Sequence, residues 1–254
     1  IKILNFTDCE LEDISFIKFC PELTELNLDI WKYKGLIDMS CFSQWKMLAE
    51  LWLSYCPYLT NMSGIGECRM LTHLRLCHFT GLTDMFGIHK CNKLTSLELH
   101  SCTKLIDISS ICECKNLTKL SISFCNYVAD LTCLAQCNEL TDLNLVKCRR
   151  VTDMSCLCHC EKLTNLIINY CEGMTDVSSI CMCKNLIELV LTGCMGVTNV
   201  SYLVDCNELK YLNLYGTGVT DVSFLYKCKK LITLYIRGCT GLTQENVDYL
   251  KKLS

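Results

Sequence analysis

The residues of this chain best suited to chemistry are its cysteines, which number 24 among 254 residues. They are densest in the run Cys156-Leu-Cys-His-Cys160. Thiolates and imidazoles are the usual ligands of zinc, so this run is the best candidate for a zinc site. Zinc ligands usually come in Cys-x₂₋₄-Cys pairs, however, and the Cys-x-Cys spacing found here favours a structural role for these thiols.

A cysteine beside a histidine is the second chemistry to consider, because an imidazole can activate a thiol for nucleophilic attack. Cys77, His73 and His100 are the residues that such a pair would use. A solvated polar patch explains them better, since the five histidines share no common position in the sequence pattern. The chain also has no glycine-rich phosphate loop, no Gly-x-Ser-x-Gly and no His-Glu-x-x-His. We therefore predict a protein that is not an enzyme and has no cofactor.

Charge and composition narrow the function classes further. The chain has 24 basic and 27 acidic residues, which gives a net charge of −3. This balance argues against a nucleic-acid-binding protein with a basic surface. Half of the residues are apolar, enough for a large core, yet no apolar run is long enough to span a membrane.

One unit is repeated eleven times along the chain. Its pattern is Leu-Thr-x-Leu-x-Leu-x-x-Cys, then two residues, then Leu/Val-Thr-Asp-x-Ser and another cysteine. A period in this range that begins with Leu-x-x-Leu-x-Leu indicates a leucine-rich-repeat solenoid. The units begin at Ile1, Leu23, Leu48, Leu71, Leu94, Leu117, Leu140, Leu163, Leu186, Leu209 and Leu231, most of them 23 residues apart.

The sequence pattern of each unit predicts one short strand and one tight turn. Leu97 and Leu99 alternate with polar residues, which is the pattern of a half-buried strand. The remainder of a unit has room only for one turn of helix or 3₁₀ helix. The predicted fold is an α/β solenoid, the leucine-rich-repeat horseshoe, with a concave parallel β-sheet and short helical turns on the convex side. We predict a single domain over residues 1–254, with a capping helix over 243–254.

The cysteines fall into columns when they are sorted by their position in the unit. We expect the two main columns to hold structural thiols, because a free cysteine packs as a small apolar side chain with a weak hydrogen-bond donor. So many unpaired thiols favour a reducing compartment, hence the cytoplasm. The first column is Cys9, Cys56, Cys102, Cys125, Cys148, Cys171, Cys194 and Cys239; the second is Cys20, Cys68, Cys91, Cys114, Cys137, Cys160, Cys183, Cys206 and Cys228.

An acidic column comes after the first cysteine column. A stack of carboxylates could bind calcium, but Asp or Asn two residues before Ser is the usual arrangement for capping a short helix. We predict caps. The column is Asp13, Asp38, Asn61, Asp84, Asp107, Asp130, Asp153, Asp176, Asn199 and Asp221.

The unit resembles two known kinds of leucine-rich repeat. The cysteines and Cys148-Arg-Arg-Val-Thr-Asp153 resemble the cysteine-containing repeats of F-box substrate receptors, which are usually longer. The 23-residue length and Thr220-Asp-Val-Ser-Phe-Leu225 resemble kinetoplastid and internalin-like repeats, as does Gly193-Cys-Met-Gly-Val-Thr-Asn-Val-Ser201. This resemblance covers essentially the whole chain and implies the fold. It does not specify a partner, because repeat scaffolds bind many ligands.

Partner-binding residues are expected on the outward-facing positions of the strands and at the strand exits, where residue type is free to vary. Aromatic and arginine side chains dominate binding hot spots, although some can simply cover the sheet. A longer turn in the second unit adds two aromatic residues on the rim. The candidates are Trp31, Tyr33, Trp52, Tyr55, His73, Arg75, His78, Tyr211, Tyr215, Tyr235 and Arg237.

These observations favour a non-enzymatic scaffold that binds a partner protein and that could be one subunit of a larger assembly. The alternative is a thiol-rich redox or zinc-binding protein. We also expect the N-terminal end, which starts within a strand, to be covered by residues that are missing here or by another chain.

Overall fold

The computed structural model describes residues 1–7, 9, 15–29, 40–246 and 248. The side chains of Ser15, Ser40 and Cys41 are not among the described parts. The chain divides into two compact units, Ile1–Val128 and Ala129–Ser254. The single domain over residues 1–254 therefore stays a prediction.

The first unit contains six parallel strands that pair in chain order. Each repeat places its strand in register with the next, so that Leu26, Leu51 and Leu74 lie side by side. The strands are β1 (Ile3–Thr7), β2 (Glu25–Asp29), β3 (Glu50–Ser54), β4 (His73–Cys77), β5 (Ser96–His100) and β6 (Lys119–Ser123). The 3₁₀ turns between them are η1 (Ser15–Phe19), η2 (Ser40–Gln44), η3 (Ser63–Glu67), η4 (Ile88–Lys90) and η5 (Ser109–Glu113).

The second unit repeats this arrangement with shorter strands towards its end. Its strands are β7 (Asp142–Val146), β8 (Asn165–Asn169), β9 (Glu188–Val190), β10 (Tyr211–Asn213) and β11 (Thr233–Tyr235), again parallel and paired in chain order. Its 3₁₀ turns are η6 (Thr132–Gln136), η7 (Ser155–His159), η8 (Ser178–Met182), η9 (Ser201–Asp205) and η10 (Ser223–Lys227).

Alternation along each strand separates a core face from an open face. Leu97 and Leu99 are fully buried, whereas Glu98 between them is exposed and Ser96 and His100 are half-buried. This confirms the predicted strands, and the predicted tight turns are confirmed as 3₁₀ turns. The open face is the surface on which a partner can meet side chains without disturbing the leucine core.

The acidic column caps the 3₁₀ turns, as predicted. Asp107 Oδ1 accepts a hydrogen bond of 2.7 Å from the backbone N–H of Ser109. Asn61 Oδ1 accepts the equivalent hydrogen bond from the Ser63 N–H at 2.7 Å, so an amide oxygen can replace the carboxylate oxygen. The same contact is formed by Asp130, Asp153, Asp176, Asn199 and Asp221. Asp84 instead accepts from the Phe86 N–H, two residues before η4 begins. Asp13 and Asp38 lie outside the described residues.

Both cysteine columns are structural, as predicted. In the first column, the Cys194 thiol donates to the backbone carbonyl of Ile168 at 3.2 Å, one repeat earlier. In the second column, Cys91 donates in the same way to Ile65 O at 3.5 Å. These bonds give each thiol a backbone acceptor in the preceding repeat, and they join successive repeats.

A helical segment begins near the end of the described residues. Residues 244–246 and 248 are helical. Thr243 and Asn246 bond reciprocally, with Asn246 Oδ1 accepting from the Thr243 N–H at 2.9 Å, which is the geometry of a capping box. The rest of the predicted capping helix over 243–254 lies outside the described residues. No helix in the described part of the chain is both long enough and apolar enough to cross a membrane.

Candidate functional site

The candidate partner-binding residues of the first unit lie on or beside the open face of β3 and β4. Trp52, His73 and Arg75 are exposed strand residues, and Tyr55 and His78 come directly after their strands. Trp52 is 42% exposed and Tyr55 is 41% exposed, so both rings present a large apolar area to solvent. Trp31 and Tyr33 lie outside the described residues, and their proposed patch with Trp52 stays a prediction.

Strand register places these side chains next to one another. Trp52 pairs with Arg75, which in turn pairs with Glu98 on β5. Arg75 Nε lies 3.5 Å from a Glu98 carboxylate oxygen, an ion pair between two half-exposed side chains. Because exposed ion pairs contribute little net stability, this pair leaves Arg75 available to exchange its partner on binding.

Cys77 is shielded by the same arginine. It occupies an open-face position on β4, yet it is only 7% exposed, because Arg75 Nε lies over it and donates to its sulfur at 3.4 Å. This hydrogen bond to Cys77 is the main reason why the pKa of Arg75 is raised. Cys77 therefore lies at an open-face position, but it is buried and is not part of a solvated polar patch.

The strand exits form a column of residues with left-handed backbone, which we call the exit column. In the first unit it comprises Tyr55, His78, Ser101 and Phe124, with φ between 54° and 60°. A non-glycine residue adopts this conformation only where other contacts fix it. Here the N–H groups of Tyr55, His78 and Ser101 donate to the next repeat: His78 N–H bonds His100 O at 2.8 Å. The ladder holds each ring at a defined place on the rim.

The aromatic side chains at this rim form a continuous stack. The rings of Tyr55 and His78 are parallel with centroids 4.4 Å apart. His78 then meets His100 edge-on at 5.5 Å, and His100 meets Phe124 at 5.2 Å. Burial, followed by the neighbouring His78 and Arg75, lowers the pKa of His100. His100 is therefore a neutral, amphipathic member of the stack near pH 7.

The second unit carries its own group of exposed aromatic residues. Tyr211 on β10 and Tyr235 on β11 have ring centroids 5.7 Å apart. Tyr235, Tyr215 and Arg237 are exposed. The four candidates of this unit lie on two successive repeats, and we call them the tyrosine patch; their role in binding stays a prediction.

The exit column of the second unit changes from large to small side chains. It comprises Lys147 and Tyr170, with φ of 54°, and then Gly193, Gly216 and Gly238. The Tyr170 ring lies over Gly193, where an added Cβ would come within 2.4 Å of the ring. The Lys147 ammonium lies 6.0 Å from the centroid of the same ring. The position of the Tyr170 ring is thus set by Gly193, which leaves room for it, and by the ammonium group of Lys147.

The cysteine-rich run does not converge on one point. Cys160 is fully buried and donates to Leu134 O at 3.7 Å, while Cys158 is half-buried. Burial raises the pKa of Cys156 and of Cys160 to about 12. A reactive or metal-bound thiol needs a lowered pKa, so these environments work against the alternative redox or zinc function. Within the described ranges, no three side chains of the metal-binding types are grouped to hold an ion.

Comparison with solved structures shows what kind of repeat this is. The leucine-rich-repeat domain of the type III effector XopL superimposes with a TM-score of 0.54 at 15% identity, over 76% of this chain and 77% of that one. An internalin, InlF, from Listeria monocytogenes superimposes with a TM-score of 0.71 at 20% identity, over 100% of this chain and 78% of that one.

This chain has the leucine-rich-repeat fold. The functional domain of InlJ from Listeria monocytogenes, which includes a cysteine ladder, also matches, with a TM-score of 0.64 at 19% identity over 96% of this chain and 55% of that one. No family model and no curated protein matches the sequence. The similarity therefore confirms the predicted leucine-rich-repeat fold, and it leaves the partner to be inferred from the surface.

Two features that shape the open face were not predicted from the sequence. One is the left-handed exit column, whose only signal is that Gly193, Gly216 and Gly238 share its position. The other is a ladder of threonines at the strand starts, in which Thr95 Oγ1 donates to Thr72 O at 3.1 Å and Thr72 Oγ1 to Ala49 O at 3.0 Å. Both ladders fix the spacing of successive repeats and so the spacing of the side chains on the open face.

Proposed function

We propose that this leucine-rich-repeat chain is a non-enzymatic scaffold that binds a partner protein through the open face of its strands and the exit column. The observation that carries the proposal is the contiguous set of Trp52, Tyr55, Arg75 and His78 in the first unit. Two of these rings are about two-fifths exposed although they stand on rigid, hydrogen-bonded backbone. Aromatic and arginine side chains held in this way lose little entropy on binding.

The tyrosine patch of the second unit supports the same proposal independently. Tyr215 is 45% exposed and Tyr235 is 50% exposed, and Arg237 lies on the same repeat as Tyr235. A tyrosine presents a large apolar ring and a hydroxyl group that needs a partner, which suits a protein interface. We propose that this patch is a second contact region.

The proposed location is a reducing compartment such as the cytoplasm. No disulfide joins the cysteines whose side chains the structure describes. The thiols of Cys102 and Cys125, at the same position of successive repeats, lie close enough to shift each other's pKa in opposite directions. Thiols this close together could form non-native disulfides under oxidising conditions. Their number therefore supports a reducing compartment.

Capture of partners from a native extract, followed by crosslinking mass spectrometry, tests the proposal. The tagged wild type is compared with the triple variant Trp52→Ala/Tyr55→Ala/Arg75→Ala. We expect the triple variant to lose the crosslinked partner, because truncating hot-spot residues typically costs a large share of the binding energy. The variant Tyr211→Ala/Tyr215→Ala/Tyr235→Ala tests the second region in the same way.

The matched control is Tyr58→Ala/Phe86→Ala/Arg69→Ala. It removes two exposed aromatic residues and one exposed arginine from the same unit but away from the open face. Circular dichroism melts establish that all variants fold. A partner that is lost equally from the control and the test variant, or retained by both test variants, would contradict the proposed binding surface.

A further inference from the structure

A small pocket opens on the first unit where β1, β2 and β3 meet on the open face. Ile3, Asn5, Glu25, Asn27, Glu50 and Trp52 line it together with the backbone side of Leu4 and Leu26. Register places Ile3, Glu25 and Glu50 in one row across the three strands, and Asn5, Asn27 and Trp52 in the next. The pocket therefore has an aliphatic wall, two neighbouring carboxylates and an indole ring.

Among the described residues, the two carboxylates of the pocket have no basic partner. Ion pairs join acidic side chains to lysines and arginines at several places in the described ranges, such as Lys46 with Glu67, but none of these involves Glu25 or Glu50. Like charges directly opposite each other on adjacent strands destabilise a sheet. A cation bound between Glu25 and Glu50 would remove this repulsion.

The apolar walls of the pocket suit the methylene stem of a lysine or arginine side chain. Ile3 is 58% exposed, so it offers an apolar surface along which a methylene stem can pack while its charged end stays polar. Trp52 lies two residues beyond Glu50 on the same face, within about 7 Å along the strand. An indole face close to carboxylates attracts a cation both by its quadrupole and by their charge.

We propose that this pocket receives a lysine or arginine side chain of a partner protein, so that the partner contacts β1 to β3 through a basic segment. This inference rests on the proposed function, since it names the chemistry of the partner that the open face binds. The negative charge of this part of the open face complements a basic segment. The charged open-face residues of β2 and β3 are all acidic: Glu25, Asp29 and Glu50.

The test uses the indole N–H signals of the ¹⁵N-tryptophan-labelled protein, which has three tryptophans. Trp52→Phe identifies the Trp52 signal. The probes are acetyl-Gly-Lys-Gly-amide, the same peptide with arginine, and the uncharged peptide with norleucine in place of lysine. We expect the basic peptides to shift the Trp52 signal saturably and the norleucine peptide to leave it unchanged, with binding that weakens as salt is added.

The decisive variant is Glu25→Gln/Glu50→Gln, which keeps the shape of the pocket and removes its charge. We expect it to bind the lysine peptide about fivefold to tenfold more weakly than the wild type does, the loss of two charge contacts. Glu22→Gln/Glu161→Gln is the matched control, because both carboxylates are exposed and lie outside the pocket. Equal shifts with the norleucine peptide, no shift with the basic peptides, or full affinity in the decisive variant would each overturn the proposal.

The capture experiment separates this inference from the proposed function. If the partner is lost from Trp52→Ala/Tyr55→Ala/Arg75→Ala but fully retained by Glu25→Gln/Glu50→Gln, the scaffold function stands and the basic-side-chain pocket is wrong. If the lysine peptide binds as expected and no partner depends on the open face, the pocket stands and the proposed scaffold function is wrong.

Discussion

Tyr170 and Gly193 show how single residues set the surface of this fold. Both have left-handed backbone at the same position of successive repeats, with φ of 54° and 71°. The Gly193 N–H donates to Tyr215 O at 2.8 Å, which fixes the turn, and the missing side chain leaves room for the Tyr170 ring. Glycine is thus favoured at position 193 for two reasons: its backbone is left-handed, and the Tyr170 ring occupies the space of a side chain.

This arrangement predicts unequal effects of two alanine substitutions in the same column. Gly216→Ala should destabilise by about 1–2 kcal/mol, because it adds only the strain of a side chain on left-handed backbone. Its added Cβ would meet no atom closer than 3.7 Å. Gly193→Ala should cost about 1–3 kcal/mol more, because the Tyr170 ring must also move. Urea unfolding measures both.

The double variant Tyr170→Ala/Gly193→Ala is the internal control. With the ring removed, the added cost of Gly193→Ala over Gly216→Ala should disappear. Equal effects of the two single substitutions would show that the Tyr170 contact does not constrain Gly193.

At the scale of the element, one side-chain oxygen caps each of the 3₁₀ turns η3 and η5 to η10. Ser155–His159 and the other turns are too short to be stable by their own backbone bonds, since a short helix has few of them and its first N–H groups lack partners. Asp153 supplies an acceptor at 2.7 Å for the Ser155 N–H. The polar column of the sequence therefore supplies caps that begin these turns at the same position of each repeat.

Asp130→Ala should destabilise by about 0.5–2 kcal/mol, the usual effect of losing a helix cap. Asp130 Oδ1 accepts from the Thr132 hydroxyl at 2.6 Å and from the Thr132 N–H at 2.8 Å. Asp130→Asn retains this oxygen and should stay close to the wild type, as Asn61 and Asn199 do the same work in their repeats. Thermal melts at pH 7 distinguish the two variants.

The Asp130 contact also has a definite pH dependence. The Thr132 hydroxyl lowers the pKa of Asp130 below its ordinary value of 3.8. A carboxyl group whose pKa is lower in the folded state contributes stability above its ordinary pKa and loses it as the pH falls. The wild type should therefore become less stable than Asp130→Asn below about pH 4, because the amide does not titrate; a constant difference down to pH 2 would contradict this assignment.

At the scale of the whole molecule, the buried thiols tie stability to pH. Burial raises the pKa of seven cysteines from 9.0 to about 12: Cys56, Cys91, Cys156, Cys160, Cys183, Cys194 and Cys206. They belong to both compact units and, with the exception of Cys156, to the two main columns. These seven thiols should therefore resist reagents and oxidants while the chain is folded.

The free energy of unfolding should be insensitive to these thiols below pH 9 and fall between pH 9 and 12. The unfolded chain releases its thiol protons at the lower pH, so each buried thiol steepens the fall by up to about 1.4 kcal/mol per pH unit. Chemical denaturation across this range measures the slope. Cys91→Ala/Cys183→Ala should reduce the slope, and an unchanged slope would show that these thiols do not titrate as buried groups.

The sequence alone determined the repeat and the properties that depend on its period. Leu97 and Leu99 had to share a face, the column of Cys91 had to point inwards, and Asp107 had to stand before a turn, because identical short units stack only in one register. These are local or periodic properties, and each recurs often enough in the sequence to be recognised from one chain.

Only the tertiary structure decided how the variable residues meet. Cys77 is hidden because Arg75 folds over it. His100, a strand residue, joins the stack between His78 and Phe124, where the exit column offers only the small side chain of Ser101. Such contacts depend on distances between side chains of different repeats, which the period leaves free. The period therefore fixes the scaffold, and packing between neighbouring repeats fixes the surface that a partner would bind.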